Sequence, residues 1–261
     1  MLFRSVSYIR TFLEQGFGVR YARSTIPLQI DKRVQWKAPV HVSDFEYAKP
    51  RTDRLVKITL LGPCRVHWQA GRNNISREVY PDMEVYWRDL VNAVRSELFA
   101  LAEAGCTHVQ IDDTAFAKFA DPKIHRLLEE RGENWRELIP LYIQKMNEVV
   151  AGLPPQLSVG IHMCRGNSIW HEPGYKRTEG GYEVIAEKLF NELNINTYYL
   201  EYDSPRAGDF TPLNLLPKGK TAVLGLVSTK VPALENADDL CRRIDEAAKS
   251  RSEEHTSELQ S

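Results

Sequence analysis

No run of apolar residues in this chain comes near the roughly 20 that a membrane-crossing helix needs, so a transmembrane reading is excluded at the outset. An excess of charge of one sign is missing too: 34 basic residues stand against 35 acidic ones, dispersed along the chain, for a net charge of -1. That leaves no basic footprint for nucleic acid or for an anionic membrane surface. Neither a Gly-x-Gly-x-x-Gly turn nor a P-loop occurs, which removes the phosphate-cradling signatures of nucleotide enzymes. Cysteine is scarce: Cys64, Cys106, Cys164 and Cys241 lie far apart in 261 residues, with no secretory signal ahead of them. Reduced thiols in a cytoplasmic protein are the expectation. What is present is a composition of 43% hydrophobic and 26% charged residues, enough for a substantial core. The expected partner is a small molecule.

The two ends of the chain differ from its middle. Residues 251–261, Arg-Ser-Glu-Glu-His-Thr-Ser-Glu-Leu-Gln-Ser, resemble the translation of a sequencing-library adapter and are set apart as a non-native tail. Residues 1–54 read as an irregular N-terminal segment of the same domain. Up to Pro27 they carry Arg4, Arg10, Arg20 and Arg23 against the single acid Glu14, which suits either a targeting presequence or the outer part of a domain that starts upstream. Residues 28–54 mix prolines, charges and the isolated aromatics Trp36, Phe45 and Tyr47 without a period, as a long connection does.

Between these ends the hydrophobic pattern alternates. Strand-like runs fall at Leu55 to Leu61, His108 to Asp112, Leu157 to Cys164, Thr197 to Glu201 and Ala222 to Val227. Helical patterns fall at Met83 to Ala104, from near Asn134 to before Gly152, at Tyr182 to Leu193 and at Ala237 to Ala248. Repeated βα units with apolar strands imply an α/β protein whose parallel sheet is covered by helices. The polar residues choose between the two such folds. Asp112 and Asp113, His162 and Cys164, Glu201 and Asp203, and Ser228 to Lys230 each fall at or just after the C-terminal end of a strand. A (β/α)8 TIM barrel builds its sites on that face. Five visible units in residues 55–250 make the expected fold a TIM barrel that is incomplete at both ends in this chain.

Within Ser158-Val-Gly-Ile-His162-Met-Cys164 the period of two places His162 and Cys164 on one face. Imidazole nitrogen and thiolate sulfur are both good zinc ligands, so the pair reads as half of a zinc site, or else as an ordinary buried His and Cys. Glu201, one βα unit later, supplies a possible third donor; its alternative is an ion pair with Lys176, Arg177 or Arg206. The alternative for Asp112 is the N-cap of the segment that follows it.

Four stretches taken together, Asp112 in Val-Gln-Ile-Asp, His162-Met-Cys164, the strand end at Glu201, and Gly225-Leu-Val-Ser-Thr-Lys230-Val-Pro-Ala-Leu-Glu235, resemble the C-terminal catalytic domain of cobalamin-independent methionine synthase. They resemble its shorter single-domain relatives still more, over roughly Leu55 to Ala248. The resemblance implies a (β/α)8 barrel, zinc as cofactor, and methyl transfer from a small-molecule donor to a zinc-bound thiol such as homocysteine. It implies His162, Cys164 and Glu201 as zinc ligands, Asp112 as the carboxylate that holds the amino group of the thiol, and Trp68 as the aromatic beside the donor. Three departures go with it. The family's last zinc ligand is a cysteine in a later strand, beyond Ser250. The family's N-terminal strands are not evident. Val227 stands about where the synthases have a histidine that protonates the folate leaving group, with Lys230 as the nearby substitute. Opening of an epoxide by a zinc-held thiol, or an inactive fragment of such an enzyme, are the alternatives.

Overall fold

A computed structural model describes residues 28–166, 178–228 and 231–252. The five strands are β1 (Lys57–Leu61), β2 (His108–Asp112), β3 (Ser158–Met163), β4 (Thr197–Glu201) and β5 (Thr221–Gly225). They form one sheet in the order β1-β2-β3-β4-β5. Each strand lies beside its chain neighbour, as in a (β/α) barrel, whereas a doubly wound sheet reverses its order at a switch point. The α/β class read from the sequence is the one the structure has. By compactness the chain divides into two units, one running to Asp113 and resuming at Gln144–Gly160, the other made of Thr114–Ile143 and the chain from Ile161 onward.

In the first unit β1 and β2 pair in parallel, with Ile58 opposite Val109 and Leu60 opposite Ile111. All four of these side chains are buried while their sequence neighbours are not, which is the half-covered strand pattern. Helix α1 (Val42–Ala48) precedes β1, and α2 (Pro63–Ala70) starts with proline at its first turn, where the missing N–H costs nothing. The long α3 (Met83–Glu103) is capped by Asp82, whose side chain accepts the Glu84 N–H at 2.9 Å. Its apolar stripe, Trp87, Leu90, Val91, Val94, Leu98 and Leu101, is fully or nearly buried. Gly105, at φ +88°, takes the left-handed turn that ends it.

Residues 28–54, which the sequence reads as a long connection without a period, contain helix α1 and are tied to the rest of the unit. Ile30 bridges Ile75 in parallel, and the Val34 N–H donates to the Tyr80 hydroxyl at 2.6 Å. Glu97 of α3 accepts from Trp36 Nε1 at 2.8 Å, from the N–H groups of Val40 and His41, and meets His41 Nδ1 at 3.2 Å. A buried carboxylate demands such partners, and here a segment more than 50 residues away in sequence provides them.

In the second unit α4 (Ala115–Lys118) and α5 (Pro122–Glu130) follow β2, and α5 begins at Asp121, which accepts the Lys123 N–H at 2.9 Å. Helix α6 (Trp135–Val150) continues into the first unit, α7 (Glu183–Glu192) precedes β4, and α8 (Ala237–Ser252) follows β5. Strands β4 and β5 pair in parallel, Leu200 opposite Leu224. Tyr182, Ile185, Leu189, Phe190, Tyr198 and Leu200 form the buried centre between α7 and β4. Helix α8 runs past the Ala248 limit read from the sequence and takes in Arg251 and Ser252, the first residues of the segment set apart as non-native.

Candidate active site

The polar cluster of the second unit is built at the ends of β3 and β4. Period-two alternation buries Ile161 and Met163 and leaves His162 half-buried on the opposite face, with Cys164 one residue beyond the strand and equally half-buried. His162 and Cys164 are hydrogen-bonded to one another. Burial pushes the Cys164 thiol up, but the hydrogen bond and charge of His162, helped by the Gly166 N–H, outweigh it, and the thiol is held below its usual range. The charge of Glu201 acts on the same thiol in the opposite sense.

Glu201 closes β4 and is 8% exposed. Its Oε1 lies 2.7 Å from Arg206 Nη2, and its Oε2 accepts the Arg165 N–H at 3.2 Å. Of the partners that the sequence offers, Arg206 is the one seen among the described residues; Lys176 and Arg177 lie outside them, as does Lys230.

Sequence reasoning missed the residue that holds this cluster together. Arg165, only 1% exposed, donates from Nε to the Gly180 carbonyl at 2.8 Å, from Nη1 to the Glu201 carbonyl at 2.9 Å and the Tyr182 hydroxyl at 3.1 Å, and from Nη2 to the Ala207 carbonyl at 3.3 Å. Its guanidinium lies 4.2 Å from the centre of the Tyr182 ring. The Tyr182 hydroxyl in turn donates to the Met163 carbonyl at 2.8 Å and accepts the Glu201 N–H at 2.9 Å. Burial, partly offset by Arg165, pushes that phenol up to about 12, so it stays a donor at any physiological pH. The ends of β3 and β4 are thus fixed by one buried cation and one phenol. Local pattern gives no sign of this, because an arginine directly after a strand reads as a loop charge.

The candidate residues of the first unit have different surroundings. Asp112 accepts Gln110 Nε2 at 2.7 Å, from two residues back on the same strand face, and the cap position ahead of α4 belongs to Thr114, so Asp112 is not the N-cap. Its neighbour Asp113 is completely buried, accepts the Cys64 N–H at 2.9 Å, and is pushed up to about 7 by burial against the lowering effect of the Arg65 N–H, the Cys64 thiol and the Cys64 N–H. A Cβ at Gly62 would stand 2.2 Å from Asp113 Oδ2, so this approach requires glycine. Trp68 is buried in α2, 6% exposed. A cavity of about 460 Å³ in the first unit, lined by Glu84, Arg88, Arg95, Lys145 and Glu148 among others, includes none of the candidate residues.

Zinc can be tested against this donor set. An imidazole, a thiol drawn toward its thiolate form and a carboxylate acting on that thiol have the chemistry zinc takes. Two of the three, His162 and Cys164, are together; the third, Glu201, is engaged by Arg206. Among the described residues no group of three His, Cys, Asp or Glu side chains is arranged to hold a metal ion.

The family profile of the cobalamin-independent synthase catalytic domain matches residues 12–169. This chain belongs to that family. The match takes in Asp112, His162 and Cys164, and it begins upstream of Leu55, where the sequence resemblance starts. YxjG of Bacillus subtilis, itself an uncharacterized protein, is 35% identical over 201 residues, 76% of this chain and 51% of its own length. The methionine synthase of Pyrococcus abyssi is 26% identical over 220 residues, 84% of this chain and 53% of its own. The chain therefore spans about half the length of these curated relatives. A Listeria monocytogenes structure assigned as a vitamin-B12-independent methionine synthase superposes with a TM-score of 0.68 at 24% identity, covering 88% of this chain and 63% of that one, and so shares the fold. No described helix is long and apolar enough to cross a membrane.

Proposed function

We propose that the chain is part of a zinc-dependent S-methyltransferase of the methionine synthase type, acting on a homocysteine-like thiol and a small-molecule methyl donor. The observation that carries the reading is the hydrogen-bonded His162 and Cys164 pair at a strand end, in a chain of this family, with the Glu201 carboxylate acting on the same thiol. The names of relatives such as the Pyrococcus synthase support the substrate class. In this reading His162 and Cys164 hold the metal, with Glu201 as a third donor. Zinc bound there supplies the Lewis acidity that keeps a substrate thiol in its thiolate form near neutral pH.

The chain's own residues contribute position. Arg165 and Tyr182 lock the two strand ends that carry the donors, which keeps them from drifting by the ångström that costs rate in an alignment-limited displacement. Asp112 is the carboxylate assigned to the substrate's amino group, and Trp68 the aromatic assigned to the donor. In the transfer the new S–CH3 bond forms as the bond from donor to methyl breaks; the donor leaves with that bond's electron pair and, if neutral before transfer, takes up a proton from solvent that balances the one the substrate thiol gives up.

The test is zinc affinity by competition with a chromophoric chelator. Cys164→Ser is expected to weaken binding by about a hundredfold or more, as loss of a thiolate ligand does. Equal affinity in the variant and the wild type would refute the site.

A further inference from the structure

Glu201, among the candidate donors, is held in a close ion pair. Its Oε1 sits 2.7 Å from Arg206 Nη2, with only 15% of the arginine side chain and 8% of the glutamate side chain exposed. The remaining guanidinium nitrogens of Arg206, Nε and Nη1, are buried without a hydrogen-bond partner. A buried cation whose other donors go unmet depends on the single carboxylate it has, and taking that carboxylate away leaves the charge uncompensated. Arg206 lies in a one-turn helix, Pro205–Ala207, whose Ala207 carbonyl is fixed by Arg165, so the backbone that carries the guanidinium is anchored beside Glu201. The same Arg165 gives its N–H to the other carboxylate oxygen. His162 and Cys164 interact with one another.

We propose that Arg206 competes with the metal for Glu201: it holds the carboxylate in an ion pair in the metal-free protein, so that ligation by Glu201 requires this pair to break and Arg206 sets the zinc affinity. The proposal rests on the reading that His162 and Cys164 hold zinc. It makes Glu201 a conditional third donor and explains why only two of the three donors stand together without metal. It also separates the two arginines. Arg165 satisfies backbone carbonyls and fixes the site, whereas the hydrogen bond of the Arg206 guanidinium goes to the Glu201 carboxylate.

Chelator-competition titrations of the whole chain test it through a double-mutant cycle. Arg206→Met frees Glu201 and is expected to tighten zinc binding by about tenfold, the scale of a partly buried ion pair. In a Glu201→Gln background the same substitution is expected to change affinity by less than about twofold, because no carboxylate remains to compete for. An equal gain in both backgrounds would mean that Arg206 acts only by general charge repulsion, and would overturn the proposal; so would no gain in either. Glu201→Gln alone strands the guanidinium and is the variant at risk of misfolding, but the double variant carries neither charge. If the single variant does not fold, comparing Arg206→Met with the double variant decides: the double variant is expected to bind about tenfold or more weakly, and equal affinities would overturn the proposal. Cobalt substitution gives a second readout, since recruitment of Glu201 in Arg206→Met changes the d–d band intensity relative to wild type, and identical spectra would count against it. Should Cys164→Ser bind zinc as well as wild type, the metal reading fails and takes this proposal with it. Should Cys164→Ser lose zinc while Arg206→Met gains nothing, the proposal alone fails.

Discussion

Glu97 in the first unit and Glu201 in the second are both nearly buried carboxylates, 3% and 8% exposed, yet they are held in opposite ways. Glu97 collects an indole N–H, two backbone N–H groups and an imidazole, a set that leaves it no reason to move. Among the contacts of Glu201 are a buried guanidinium and a backbone N–H. Burial of a carboxylate does not by itself mark a site. What differs is that Glu97 gathers several N–H donors from one segment, whereas Glu201 is paired with a buried guanidinium, a bond that an exchange of partner would break. Asp113 gives a third case, buried completely with too few donors to keep it ionised at low cost.

The largest effect expected from this comparison is at Glu97. Glu97→Ala leaves Trp36 Nε1 and the Val40 and His41 N–H groups without an acceptor and should cost about 3 kcal/mol in urea unfolding. A loss under about 0.5 kcal/mol would show that residues 28–54 are not anchored by it. The pH dependence has a definite sign. Burial pushes Glu97 up, but its donors outweigh this and bring it down from 4.5 to about 2, so its contribution is present above pH 4.5 and disappears as the pH falls toward 2. Glu97→Gln should flatten that acid limb.

Asp113 should give a smaller effect of opposite slope. Its folded value lies above 3.8, at about 7, so the folded state binds the extra proton and stability declines as the pH rises from about 4 through 7. The decline should be about 2 kcal/mol, reduced from the full linkage value by local relaxation, and Asp113→Asn should abolish it. A wild-type profile that is flat over this range would place Asp113 in a better-solvated setting than the one described.

The sheet was legible because strand signals are local. The apolar runs read as ending at Leu61, Asp112, Cys164 and Glu201 carry their period, and the structure ends those strands there or within a residue, while β5 stops at Gly225, two residues short of Val227. Helix α3 was legible from its stripe and from Gly105. Helix α2 was not, since Pro-Cys-Arg-Val-His-Trp-Gln-Ala is short and its burial comes from packing against α3 rather than from a clean 3.6 period. The Asp121-Pro122 pair before α5 is a local start signal, an N-cap followed by proline at the first helical position. The tethering of residues 28–54 was beyond local pattern, because Glu97 reaches back more than 50 residues for its donors.

At the site, His162 and Cys164 were legible from spacing, and the structure does bring them together. The ion pair of Glu201 with Arg206 was among the alternatives the sequence offers. Arg165 and Tyr182 were not, because a buried arginine earns its place through four distant carbonyl and hydroxyl partners that no linear motif records.

The Cys164 sulfur at the metal is the central feature of the proposed site. Zinc K-edge X-ray absorption on the zinc-loaded chain should show a Zn–S shell at about 2.3 Å contributed by one thiolate, with nitrogen and oxygen neighbours, and that shell should vanish in Cys164→Ser. A zinc ion surrounded by nitrogen and oxygen alone in the wild-type chain would contradict it.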